Sequence, residues 1–265
     1  MKPIEPLEAR RLLSTSFNPT TGVLTVTGTT KPDTFQFANG STTFTVVQTT
    51  SGQTTSSTFD RTRVKSIAIN LSDGADTVIM GRLPIPATIN GGKGNDRISA
   101  GAGNDRINGQ GGDDYIFGGD GKDTVDGGSQ GDDMFGGGGR DTVDYSARTA
   151  PLTIGLGTLP DDGEAGEGDN VRSDFEVVLG GAGSDNISHS GTRPINLYGN
   201  AGNDTLIGGI AGDYLVGGPG NDSLVGGDGN DVFDVQDGAR DTCNGGDGTD
   251  SALTSDQNDI LDFIP

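Results

Sequence analysis

Gly91-Gly92-Lys93-Gly94-Asn95-Asp96-Arg97-Ile98-Ser99 is one nine-residue unit of the form Gly-Gly-x-Gly-x-Asp-x-U-x, where U is a large apolar residue. The unit then repeats without change of length. Its aspartate returns as Asp105, Asp114, Asp123, Asp132 and Asp141, and its apolar residue as Ile107, Ile116, Val125, Met134 and Val143. A fixed short period means one small structural unit stacked on copies of itself. Gly91, Gly92 and Gly94 permit a tight turn, because glycine tolerates positive φ. The residues after Asp96 make a short strand, in which alternation sends Ile98 to one face and its neighbours to the other. Two units complete a coil of 18 residues. Asp96, Asp114 and Asp132 then line one edge, and Asp105, Asp123 and Asp141 the other. Coils stacked at the strand spacing of about 4.8 Å bring these carboxylates together, and they repel unless a cation lies between them. A turn that aims carbonyls inward and ends on a carboxylate suits calcium, which takes roughly six to eight oxygen ligands.

A second block keeps the pattern less strictly. Gly180-Gly181-Ala182-Gly183-Ser184-Asp185-Asn186-Ile187 is a clean unit, followed by an irregular coil from His189 to Tyr198. Asp204, Asp213, Asp222 and Asp231 then restore the step, with Leu206, Leu215, Leu224 and Phe233 as apolar partners. One extra residue between Val235 and Asn244 is expected to displace Asp241, and Gly245 to Asp250 closes the array. In the first block Gln130 stands at position four, which predicts a weaker site. Gly111 and Gly112 keep a near-normal turn despite Gln110.

These units resemble the repeats of hemolysin-type calcium-binding proteins, the RTX family, over roughly half the chain. The resemblance implies an all-β fold, a right-handed parallel β-roll or β-helix solenoid with calcium in its turns. It implies as ligands the position-six aspartates and the carbonyls of turn residues at positions two and four. In the first block these are Gly92, Gly94 and Asp96; Gly101, Gly103 and Asp105; Gly112 and Asp114; Gly119, Gly121 and Asp123; Gly128 and Asp132; and Gly137, Gly139 and Asp141. In the second they are Gly181, Gly183 and Asp185; Gly202 and Asp204; Gly209 and Asp213; Gly218, Gly220 and Asp222; Gly227, Gly229 and Asp231; and Gly246, Gly248 and Asp250. It further implies several bound Ca2+ ions and a bacterial protein exported to the cell surface or the medium, where calcium folds it.

The composition agrees. The formal charge is −21, from 38 acidic and 17 basic residues. Such a field disfavours nucleic acid and anionic membranes. Only 30% of residues are hydrophobic and 48 are glycine, a balance that leaves a chain disordered unless something else holds it. The apolar residue in every unit argues for order once calcium is bound. Cys243 is the only cysteine, so no disulfide closes within the chain. No stretch approaches the roughly 18 apolar residues of a membrane span.

Residues 1–16 resemble, in Pro6-Leu7-Glu8-Ala9-Arg10-Arg11-Leu12-Leu13-Ser14, a Leu-Glu-Pro-Arg-x-Leu-Leu motif near the start of bacterial surface proteins, with Ala9 in place of proline. Residues 17–89 read as a β-strand cap on the solenoid, because alternating β-branched runs fill them and an open end must be covered. A Thr/Ser-rich loop is expected from Thr49 to Thr58, and Asp73 to Val78 looks like a degenerate unit. Residues 90–144 are the first calcium-binding block and 145–179 an enlarged coil. Between its two expected strands lie five carboxylates, Asp161, Asp162, Glu164, Glu167 and Asp169, which form either a further calcium site or a solvated loop. Residues 180–253 are the second block, and 254–265 a capping strand.

Catalysis finds little support. Gly127-Gly128-Ser129-Gln130-Gly131 fits a nucleophile elbow in letters only; it lies in register with the repeats, without the strand–elbow–helix setting. The single histidine, His189, cannot form a His-x-x-x-His zinc pair and reads as a surface residue. The flanking strands also exclude an EF-hand, which needs helices and a 12-residue loop. Function therefore reads as a non-enzymatic calcium-binding structural module. The alternatives are a module that binds a protein or glycan partner through the acidic loop or the N-terminal strands, or an enzyme whose site is not recognised.

Overall fold

The computed structural model describes residues 14–157 and 159–262. The motif at residues 6–13 and the last three residues, 263–265, lie outside the described residues. Within them the chain is an all-β parallel solenoid whose strands form sheets of twelve, eight and seven strands. The twelve-stranded sheet runs the length of the stack. The eight-stranded sheet faces the first block and ends at Asn170–Val171; the seven-stranded sheet takes over from Gly163–Glu164 and Leu152–Gly155. The nine-residue period explains this layout: consecutive units alternate between faces, so each strand pairs with the one 18 residues on.

The apolar positions stack in columns. On the long sheet Ile89 pairs with Ile107, Ile107 with Val125, and Val125 with Val143. Across the insert the column resumes through Val178, Leu197, Leu215 and Phe233. Ile98, Ile116 and Met134 form the facing column of the first block; Ile187, Leu206, Leu224 and Cys243 that of the second. All of these are buried. Cys243 is thus an ordinary core residue, and burial pushes its thiol up to about 12. One buried aliphatic side chain stabilises by about 2 kcal/mol. That is little for ordering nine glycine-rich residues, so the columns need help from the turns.

The N-terminal end is closed by antiparallel pairing. Ser14–Asn18 pairs with Val23–Thr27 on the long sheet. On the other face, Asp33–Asn39 carries Thr43–Thr50 and then Gln53–Asp60. The expected Thr/Ser-rich loop is therefore a β-hairpin. Its turn is Ser51-Gly52, with φ of 48° and 76°. Its threonines pair across the strands, Thr45 with Thr58 at 2.8 Å and Thr49 with Thr54 at 3.0 Å. β-branching favours the strand, and cross-strand hydroxyl pairs replace the apolar face that the composition lacks.

Candidate metal centre: two ladders of buried aspartates

Each repeat aspartate sits where a turn enters a strand, and each is buried except Asp250. Except at Asp105, Asp185 and Asp213, where Ala87, Leu152 and Ile195 supply the amide, its Oδ1 accepts the backbone N–H of the aspartate one coil earlier. Asp96 N–H donates to Asp114 at 2.7 Å, and Asp114 N–H to Asp132 at 2.8 Å. On the other edge Asp105 N–H donates to Asp123, and Asp123 N–H to Asp141, both at 2.8 Å. The two edges are those expected from the period. In the second block one ladder runs Asp185, Asp204, Asp222, and the other Asp213, Asp231, Asp250.

Several positions read from sequence differ in the structure. Asp241 is not displaced: it is fully buried and accepts Asp222 N–H at 2.8 Å. The extra residue is absorbed by the turn before it, leaving a 19-residue step. Asp76 belongs to the ladder too, donating its N–H to Asp96 at 2.7 Å. Asp169, from the acidic loop, extends one ladder beyond Asp132, and Glu176 extends the other beyond Asp141. A regular step misses both, because the insert changes the spacing to 37 and 35 residues. His189 is buried rather than superficial, and burial lowers its pKa. Ser129 donates its hydroxyl to the Gln110 carbonyl at 3.2 Å and lies in a different coil from His189.

The glycine positions hold these turns close. A β-carbon on Gly121, at position four, would overlap the carbonyl oxygen of Gly103, its equivalent one coil earlier; Gly119, at position two, meets Gly101 in the same way. Where glutamine replaces glycine, the backbone still takes the left-handed turn, with φ of 75° at Gln110 and 79° at Gln130. That strain is of order 1–2 kcal/mol per residue, which is a physical reason for a weaker turn.

The second carboxylate oxygen carries the chemistry. In Asp96, Asp105, Asp114, Asp123, Asp132, Asp141, Asp204, Asp222, Asp231 and Asp250, Oδ2 is buried and has no hydrogen-bond partner among the described residues. Such an atom is costly to bury. Burial raises the carboxyl groups above their usual range: Asp132 to about 8, Asp105, Asp114 and Asp222 to about 7, and Asp96, Asp123, Asp204 and Asp231 to about 6. At neutral pH each such group wants either a proton or a cation. Other oxygens are close by. The point that a β-carbon on Gly118 would occupy lies 2.6 Å from Asp123 Oδ2 and 2.7 Å from the carbonyl of Gly136, in the next turn of the same edge. A carboxylate and a carbonyl from two successive turns, brought together by a residue with no side chain, form a hard-oxygen donor set that fits calcium.

Asp185 and Asp213 are different. Each folds Oδ2 onto the position-two amide of its own turn, Gly181 at 2.7 Å and Gly209 at 2.6 Å. Each also begins its ladder in the second block. The amide on its Oδ1 comes from Leu152 or Ile195, which stand where an aspartate would be.

The acidic loop has no such free oxygens at its buried end. Asp162 accepts Gly155 N–H at 2.5 Å and Val171 N–H at 2.8 Å, joining the edges of the two shorter sheets. Asp169 accepts Asp132 N–H at 2.9 Å and the Tyr145 hydroxyl at 2.7 Å. Arg148 supplies positive charge, 3.6 Å from Glu167 and 3.7 Å from Asp126.

The model of the RTX calcium-binding nonapeptide repeat matches in four overlapping copies, at residues 88–116, 108–143, 196–224 and 207–241. No curated protein matches the chain. The matches fall on the two stretches where aspartate ladders and glycine turns coincide. The chain thus carries RTX calcium-binding nonapeptide repeats, in two matched blocks on one β-solenoid.

Proposed function

We propose that the protein is an exported structural module whose repeats fold when Ca2+ enters the turns, and that it acts without catalysis at the cell surface or in the medium. The position-six aspartates would hold the ions together with carbonyls at positions two and four. The observation that carries this reading is the column of buried Oδ2 atoms that no donor among the described residues satisfies. Calcium would turn the mutual repulsion of these carboxylates into attraction, so binding and folding become one event. Low calcium inside a cell would leave the repeats unfolded and exportable. No helix among the described residues is long and apolar enough to cross a membrane. Equilibrium dialysis with calcium, followed by elemental analysis, tests the reading: roughly six to ten ions per chain are expected, since each needs two turns of one edge. One or two ions would overturn it.

A second reading, a partner-binding module, gains support from a cluster outside the two regions named from sequence. On the outer face of the eight-stranded sheet Arg97 lies 4.3 Å over the Tyr115 ring, Tyr115 is 5.2 Å from Phe135, and Arg172 lies 4.8 Å over Phe135. Phe117 beside them is exposed. Binding to a glycan or peptide panel that is lost in Phe117→Ala would favour this reading; no binding by the wild type would remove it.

A further inference from the structure

We propose that the turn Leu71 to Asp76, outside every matched repeat, is a divalent-cation site shared with the turn Gly91 to Asp96, and that it fastens the N-terminal cap to the solenoid. The proposal rests on the calcium reading above and extends it to a degenerate unit that no matched repeat covers.

The turn reproduces the repeat geometry without its sequence. Leu71 and Ser72 stand where the first two glycines would be, and 20 residues rather than 18 separate Asp76 from Asp96. Ser72 nevertheless takes φ of 80° and Gly74 takes 142°, the same hand as Gly92 at 110° and Gly94 at 118°. β-Carbons on Gly92 and Gly94 would overlap the carbonyl oxygens of Ser72 and Gly74, as between successive repeats. Lys93 N–H donates to the Ser72 carbonyl at 2.9 Å, and Gly74 N–H to the Lys93 carbonyl at 2.7 Å. The two turns are therefore stacked in the same close manner as successive repeats.

The carboxylate completes the likeness. Asp76 is 1% exposed. Its Oδ1 accepts Asp33 N–H at 2.6 Å, while its Oδ2 is buried with no partner among the described residues. Asp33, one step further, shows how a carboxylate is closed by protein alone. Its Oδ2 accepts the Thr29 amide at 2.6 Å and the Thr29 hydroxyl at 3.0 Å, and its Oδ1 accepts the Thr50 hydroxyl. The ladder changes from cation-seeking to self-satisfied between Asp76 and Asp33. That junction is where the cap begins, since Thr34 pairs with Thr77 and Phe35 with Val78.

Two measurements on the full chain test this. Crystals of the wild type grown in calcium should show an anomalous peak between the Asp76 and Asp96 carboxylates, as between Asp96 and Asp114. Asp76→Asn should bind one calcium fewer than wild type by elemental analysis, and Asp114→Asn should also lose at least one. Peaks within the repeats with none at Asp76, or an unchanged count in Asp76→Asn while Asp114→Asn loses ions, would overturn this site and leave the calcium reading standing. A wild type with no bound calcium would remove both.

Discussion

The first repeat block and the insert that follows it bury the same chemical group and treat it in opposite ways. Asp114 and Asp132 each accept one backbone amide at Oδ1, and their Oδ2 has no donor among the described residues. Asp162 and Asp169 are as deeply buried, yet both oxygens of each accept a hydrogen bond. Burial alone therefore does not make a cation site. What marks a candidate site is a carboxylate whose second oxygen no group of the surrounding turn satisfies. The insert, unconstrained by the nine-residue period, has room for Tyr145 and two extra strand amides, and it closes its acids with protein.

The largest expected effect breaks the insert. Asp162→Ala leaves the Gly155 and Val171 amides buried without an acceptor, which costs roughly 3 kcal/mol. Because both Asp162 oxygens accept protein amides, urea unfolding should show that loss at every calcium concentration that supports folding. Asp114→Asn is expected to behave otherwise, shifting the calcium midpoint of folding upward by about tenfold, about 1.4 kcal/mol. Asp213→Asn, whose Oδ2 already has an amide, should move that midpoint by less than a third as much. Equal shifts for the two variants would mean that the free Oδ2 is not what binds.

pH sharpens the contrast further. In the metal-free folded protein, burial raises Asp96, Asp123, Asp204 and Asp231 to about 6, Asp105, Asp114 and Asp222 to about 7 and Asp132 to about 8, against about 3.9 in an unfolded chain. Between those values the folded state holds more protons, so its stability falls as pH rises. In chelator, lowering the pH from about 8 to about 4 should increase β-structure, since a proton can take the place of the cation. With calcium present, the same change should weaken binding, because the ion requires the ionised form. Circular dichroism across that range, with and without chelator, reads both slopes.

Much of this was legible in the sequence because the period is a direct image of the coil. A nine-residue step fixed which aspartates share an edge and which residues fill the core columns. The rest depended on spacing that the chain itself breaks. Asp169 and Glu176 join the ladders only because the insert folds back by irregular lengths, and Asp241 keeps its place because one turn swells. The Thr49 to Thr58 hairpin was hidden because polar strands on a two-sided exposed edge carry no apolar alternation to read. The division between open and closed carboxylates was also invisible, since Asp185 has the same local sequence as its neighbours and Asp213 departs from it only in Ala211 at position four. They differ in their second oxygen, which the position-two amide of their own turn, Gly181 or Gly209, closes.

Far-UV circular dichroism of the metal-free chain at neutral pH, titrated with calcium and separately with magnesium, tests the central claim most directly. A cooperative gain of β-structure with calcium and not with magnesium is the expected result. An unchanged β spectrum in chelator, already complete before any calcium is added, would contradict it and would mean that the apolar columns hold the solenoid unaided.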